Sequence, residues 1–157
     1  QYTAKFGTSL SNAAGNSAAP LKSFKLNINN NVLLDEAFLS GSNGITSGNL
    51  VNGKLEITGS YSLHFTDTTE LNKYKNNTKN ALIVTFEGAL IGSASRETIQ
   101  LKFGKLVLTK PPVEYNIDGL VVLNQEFTVE YDATDAELTA VVINAVNNAS
   151  THVYDKA

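Results

Sequence analysis

The 157-residue chain has no cysteine, no tryptophan and no methionine, and only three prolines. Without cysteine it has no disulfide framework and no thiolate chemistry, so apolar burial and backbone hydrogen bonds must stabilise the fold. The formal net charge of −3 is small, and no cluster of Lys and Arg marks a nucleic-acid-binding surface. No apolar run approaches the length of a membrane span. These absences leave a single domain of ordinary size that is held together by its own core.

Residues suited to catalysis or metal binding are also scarce. The only histidines, His64 and His152, lack the spacing of metal ligands. We find neither a Gly-x-Ser-x-Gly elbow nor a glycine loop that cradles phosphate. Asp132, Asp135 and Glu137 share one turn but do not match a calcium-loop pattern, so we interpret them as a solvated turn. We therefore expect no enzyme activity, no metal and no cofactor.

The first twenty residues differ in pattern from the rest of the chain. The chain begins Gln1-Tyr2-Thr3, which predicts a piece of a longer protein or a product with its beginning removed. Gln1 to Leu10 alternates weakly, as the end of a strand does, and Ala13 to Pro20 has loop composition. We expect residues 1–20 to be an N-terminal arm or the end of a preceding segment, and 21–157 to be one β domain.

Period-two alternation dominates residues 21–132. It is clear in 21–29, 55–65, 97–103 and 125–132, and it indicates half-buried strands because successive side chains point to opposite faces. The aliphatic segments 81–86 and 138–146 predict more deeply buried strands. The polar faces of the alternating strands supply the exposed candidates Ser23, Lys25, Asn27, Asn29, Glu56, Thr58, Ser60, Ser62, His64, Thr98, Gln100, Lys102, Glu126, Thr128 and Glu130.

One segment breaks the alternation. Asp67 and Glu70 have the spacing of a capping box, in which each residue satisfies a free amide at a helix start. Leu71 and Tyr74 then give a narrow apolar stripe, so we predict a short helix over about 68–76 that flanks the sheet. Asp67→Ala should cost about 1 kcal/mol, as the loss of an N-cap does.

Residues 40–53 predict a long glycine-rich loop. Four glycines stand among Ser and Asn, and loops of this size are usually functional. We expect it to reach a neighbouring subunit. The contact candidates are Ser42, Asn43, Gly44, Ile45 and Asn49.

The order of these elements resembles a known family. A strand that ends in paired Asn, at 21–30, precedes the glycine-rich stretch. Ile57-Thr58-Gly59-Ser60 then leads into 62–67 and the helix, and Phe127-Thr128-Val129-Glu130-Tyr131-Asp132 forms a closing strand, with Asn144 near the end. Over residues 21–146 this order is similar to that of the tail tube proteins of long-tailed bacteriophages (the major tail protein).

The resemblance implies a mainly β fold, an antiparallel two-sheet sandwich or split barrel with one flanking helix. It further implies rings of six subunits that stack into the tail tube and bind other tail proteins. The tube would belong to a virion that is assembled in the bacterial cytoplasm, and the subunit would bind no membrane. DNA would cross the lumen without specific binding, and the polar strand faces above would line that lumen. The lining would be neutral to acidic and would bind phosphates weakly, because its charged residues would be Glu56, Glu126 and Glu130 against Lys25 and Lys102.

The competing interpretation is a β-sandwich adhesion or carbohydrate-binding module. It shares the strand number and the loop content. Such modules usually carry exposed aromatic side chains on a binding face, whereas this chain has no Trp. Electron microscopy separates the two interpretations, because only the first predicts rings or tubes.

Overall fold

The computed structural model describes residues 2–33, 51–64, 68–91, 95–111, 113–114 and 122–144. In these ranges every strand pair is antiparallel, which confirms the predicted mainly β class. The described elements are β1 (Tyr2–Gly7), α1 (Leu10–Gly15), β2 (Leu21–Asn29), β3 (Val32–Leu33), β4 (Val51–Asn52), β5 (Glu56–His64), α2 (Thr69–Lys75), β6 (Asn80–Ile91), β7 (Ser95–Leu108), β8 (Val113–Glu114), β9 (Val122–Val129) and β10 (Leu138–Ile143).

The long strand β7 organises a curled, half-barrel sheet in the order β1-β6-β7-β9-β5-β2. One edge of β7 pairs with β6. The other edge pairs with β10 over residues 98–103 and with β9 over 106–108. The sheet therefore divides into two halves that share β7. We call β1, β6, β7 and β10 the back sheet, and β2, β5, β9 and the short β8 the front sheet.

The core lies between the two sheets. The back sheet contributes Phe103, which is fully buried, and the front sheet contributes Phe24 and Phe127. The ring centroids of these three residues are 6.1–6.2 Å apart, within the range of favourable aromatic pairs. Phe6 and Tyr61 form a second contact across the core at 5.1 Å. Aromatic side chains therefore hold the front and back sheets together.

Gly59 lies in the middle of β5, in close contact with a core side chain. A Cβ atom at this position would lie 2.4 Å from Cζ of Phe127 and 2.5 Å from the carbonyl oxygen of Lys25. Real Cβ atoms do not come so near, so the Phe127 ring occupies the space that a side chain at Gly59 would need. The Thr-Gly-Ser sequence thus has a packing reason.

The helix predicted over 68–76 is confirmed as α2, Thr69–Lys75. Its N-cap is Thr68, whose side chain makes no capping hydrogen bond. Asp67 lies outside the described residues, as does the side chain of Glu70, so their capping role stays a prediction. Tyr74 packs against the core, as the apolar stripe predicted.

The N-terminal region contains a helix that was not predicted. Instead of loop, 10–15 form α1, and the Ser9 side chain accepts a hydrogen bond from the Asn12 amide at 3.2 Å. This cap was the available signal, but residues 10–15 carry no clear apolar stripe. Ala13 of α1 packs on Ala81 and Ile83 of β6, and Ala4 of β1 is fully buried in the main core. This region therefore contributes Ala4 to the main core and α1 to the layer that covers β6.

Two burial predictions need correction. Leu138 to Val146 was expected to be buried, but the described part, β10, is a half-exposed strand whose one partner among the described strands is β7. In the segment 81–86, burial ends at Val84, and Phe86 is 39% exposed because it lies beyond the core.

In the loop predicted over 40–53, residues 51–52 form β4, which pairs with β3. The five contact candidates of that loop lie outside the described residues.

A polar sheet face as the candidate functional site

The outward face of the front sheet is a continuous polar surface. Strand register places its side chains in rows that cross β2, β5 and β9. The rows are Ser23–Ser62–Asn124, Lys25–Ser60–Glu126 and Asn27–Thr58–Thr128, with Asn29 and Glu56 beyond them. Three separate polar patterns in the sequence therefore become one face.

The first row is joined by side-chain hydrogen bonds. The Ser62 hydroxyl donates to Oδ1 of Asn124 at 2.8 Å. Because a hydroxyl has one proton, the 2.7 Å contact between Ser23 and Ser62 has Ser23 as its donor. These bonds connect all three strands, so the polar side chains here are partly preorganised.

Ion pairs neutralise two of the three glutamates at this face. Lys110 Nζ lies 2.9 Å from a Glu126 carboxylate oxygen, and Lys79 Nζ lies 2.6 Å from one of Glu130. The hydrogen bond from Lys79 lowers the pKa of Glu130 below its usual value. Both pairs are exposed and contribute little to stability. Their main effect is on the electrostatic potential of the face, because Lys25, Lys79 and Lys110 now balance Glu56, Glu126 and Glu130.

The face is concave and open. A cavity of about 580 Å³ extends over the second and third rows, from Lys25 and Asn27 on β2 to Glu126 and Thr128 on β9. Thr109, which follows β7, completes the wall. The outer edge of β2 has no partner strand among the described residues, so beyond Leu21, which bonds to Tyr2 and Ala19, another chain could pair along it.

Thr98, Gln100 and Lys102 do not belong to this face. They lie on β7 in the back sheet, on the surface away from the core, where Gln100 donates to the Thr85 hydroxyl at 3.0 Å. Lys102 lies between Ile83 and Thr139. The alternation assigned these three residues to a polar face correctly but did not reveal that the face belongs to another sheet.

His64 lies at the end of β5 opposite Val122, half-buried, and its Nδ1 has no hydrogen-bond partner in the described structure. His152 lies outside the described residues.

Where the chain is described, no group of three His, Asp or Glu side chains is placed to hold a metal ion. Asp132 instead accepts a hydrogen bond from the Thr134 amide, which lowers the pKa of its carboxyl. Neither described helix is long and apolar enough to cross a membrane.

Sequence reasoning missed Lys79, Lys110 and Asn124. Lys79 and Lys110 lie just outside strands, so strand alternation could not assign them to a face. Asn124 precedes the segment in which alternation was recognised, although its alternation with Gln125 was a usable signal.

The described residues form a curled antiparallel β domain with a polar concave face and with β2 at an edge of the sheet, where another chain can pair. The family model for phage tail tube proteins matches residues 1–148, and the chain belongs to that family. It is a structural subunit of a bacteriophage tail tube, which confirms the resemblance inferred from the order of its motifs.

A solved structure agrees on the fold. The SPP1 tail tube, solved by solid-state NMR and cryo-EM, is 13% identical, with a TM-score of 0.54 over 82% of this chain and 72% of that one. The crystal structure of Hcp protein is also 13% identical, covering 90% of this chain and 98% of that one, but its TM-score of 0.47 is too low to carry an argument. No curated protein sequence matches the chain. Nothing in these comparisons supports the adhesion module.

Proposed function

We propose that the polar face of the front sheet lines the lumen of the tail tube, in stacked rings of six copies. The observation that carries this proposal is the joining of three polar rows into one concave face beside the free edge of β2. Sheets from neighbouring copies, paired edge to edge, close into a wide barrel, and closure removes the exposed edges. Thr98, Gln100 and Lys102 then lie away from the lumen.

DNA passes through this lumen without specific binding. Retention of phosphates depends on Lys and Arg that release counterions. Here Lys79 and Lys110 are paired with glutamates, and Lys25 is the remaining cation of the three rows. A balanced lining attracts the phosphate backbone weakly. The chain acts in the virion tail beside other tail proteins, after assembly in the host cytoplasm, and performs no catalysis.

The predicted contact loop belongs to the same proposal. Val32 and Leu33 pair with Asn52 and Val51, so both ends of the 34–50 segment meet at one place on the subunit. Ser42, Asn43, Gly44, Ile45 and Asn49 would reach the neighbouring copy from there. Deletion of 43–48 should leave the monomer folded and abolish polymers, as judged by thermal melting and electron microscopy. Normal tubes from this variant would contradict the role.

The lumen assignment is tested with matched threonines. Thr128 lies on the front-sheet face and Thr98 on the outer face of the back sheet, and both are partly exposed. Phage tails carrying Thr128→Lys should deliver DNA more slowly, with a deficit that shrinks as salt rises, whereas Thr98→Lys should behave as the parent. Equal delivery by both variants, or a tube structure with Thr128 on its outside, would overturn the assignment.

A stronger perturbation uses the ion pairs. Glu126→Lys with Glu130→Lys removes two anions and leaves Lys110 and Lys79 unpaired, so the lining becomes strongly positive. Folding should change little because these charges are exposed. DNA delivery should fall further than in Thr128→Lys. Unimpaired delivery in tails of normal appearance would contradict a lumen position for these residues.

A further inference from the structure

One polar side chain lies on the buried side of the front sheet. Gln125 is 1% exposed, whereas the residues on either side of it along β9 are exposed. It pairs with the buried Tyr61 of β5, and Leu123 and Phe127, which lie on the same side of β9, are also buried. An amide among apolar side chains is costly unless its polar atoms are hydrogen-bonded. Gln125 therefore has a role other than filling space.

The amide of Gln125 is bonded at its nitrogen end. Nε2 donates to the Lys110 carbonyl oxygen at 2.9 Å, and it lies 3.5 Å from the Glu126 carbonyl oxygen, at the outer limit of a hydrogen bond. Oε1 is buried and has no partner in the described structure. Because a carbonyl oxygen only accepts, the nitrogen must face Lys110. The contact with Lys110 is thus the interaction that orients the amide.

This contact lies where the backbone ladder beside β9 is interrupted. The Thr109 amide still donates to the Glu126 carbonyl at 3.0 Å. The two residues after Lys110 are prolines, which have no N–H with which to continue the ladder. Backbone pairing with β9 resumes at β8. The Gln125 side chain bridges the interruption and holds the backbone of Lys110 against β9.

Lys110 carries one of the two ion pairs of the polar face. Its Nζ lies 2.9 Å from Oε1 of Glu126, and the two side chains are 65% and 51% exposed. An exposed pair is weak because both long side chains lose entropy when they are held in one geometry. A backbone fixed beside Glu126 limits the positions that the Lys110 ammonium can take, and so it favours the pair.

We propose that Gln125 is a positioning residue for the polar face: by holding the backbone of Lys110, it keeps the Lys110 ammonium beside Glu126. The hold on Lys110 exists in the single subunit, whereas its effect on DNA passage rests on the proposed function. Loss of the Gln125 amide leaves the net charge of the lining unchanged. It turns Lys110 into a free cation that binds passing phosphates.

The first test measures lysine reactivity in the monomer. Gln125→Met keeps the side-chain length and removes the amide, so acylation of Lys110, followed by peptide mass spectrometry, should become about two- to fivefold faster, as expected for loss of an exposed ion pair. Glu126→Gln removes the pair directly and gives the reference increase. Lys79, paired with Glu130 at 2.6 Å, is the internal control and should not change. An unchanged rate at Lys110, or an equal rise at Lys79, would overturn the proposal.

A measurement on the parent chain decides the same point if Gln125→Met does not fold. Exchange of the Gln125 Nε2 protons with solvent, followed by NMR, should be about tenfold slower than that of Gln100, whose Nε2 donates to Thr85 on a half-buried surface. Equal exchange at the two glutamines would show that the bond to Lys110 does not persist in solution, and the proposal would fall.

The second test uses phage tails. Tails with Gln125→Met should deliver DNA more slowly, with a deficit that shrinks as salt rises, and the addition of Lys110→Met should restore delivery because the freed cation is gone. A double variant as slow as the single variant would show that Lys110 is not the cause, and would overturn the positioning role. A freed Lys110 in the monomer with normal delivery by the tails would instead overturn the lumen position of the polar face.

Discussion

The front and back sheets show similar alternation but have different surroundings. The front sheet has one face in the core and one polar concave face. The back sheet is covered on both sides near α1, whereas farther along β6 and β7 the core-side residues Phe86 and Ile99 are 39% and 48% exposed. Alternation therefore identifies residues that share a face, while the layer that covers each face depends on how β7 divides its edge between β9 and β10.

The contact between the sheets is broken most directly at Phe103. Phe103→Ala removes a fully buried ring from the contact with Phe24 and Phe127, and we expect a loss of about 3–5 kcal/mol of unfolding free energy. Phe86→Ala, on the neighbouring strand of the same sheet, should lose less than half of that because Phe86 is 39% exposed. Chemical denaturation measures both. Equal losses would show that the core extends to Phe86.

The fit between β5 and β9 is tested at Gly59. Gly59→Ala places a methyl group against Phe127 and the Lys25 carbonyl, and overpacking of this kind should cost about 1–3 kcal/mol. Gly15→Ala is the control, since a Cβ there would meet nothing within 4 Å, and its stability should be unchanged or slightly higher. Thermal melts compare the two. A neutral Gly59→Ala would mean that the Phe127 ring moves aside freely.

The smallest expected effect concerns the rim of the front sheet. The pKa of Glu130 is lowered in the folded chain by Lys79, so the stabilisation is present above the unfolded pKa of about 4.5 and is lost as pH falls through the folded value. Lys79→Met should therefore be less stable than the parent at pH 7, by about 0.2–1 kcal/mol for an exposed pair. The difference should shrink as the pH falls below that unfolded value. A difference that does not change with pH would indicate lost packing rather than a lost ion pair.

The sequence predicted the longer alternating strands, their polar and apolar faces and helix α2, because these depend on local spacing, whereas the two-residue strands β3, β4 and β8 were not predicted. The order of its motifs also predicted the tail tube family. Helix α1 was missed because its residues give no apolar stripe. The burial of β10 was overestimated because an aliphatic run does not show whether a strand is central or at an edge.

The amino-acid sequence by itself determined which side chains share a strand face and that the chain has no thiol chemistry. Only the tertiary structure decided that Thr98, Gln100 and Lys102 lie on a different sheet from Ser60 and Glu126. It also decided that Lys79 and Lys110 balance the glutamates, and that the Phe127 ring occupies the space beside Gly59. The physical reason is that strand pairing joins residues far apart in sequence, and the side on which β7 meets each partner cannot be read from local periodicity.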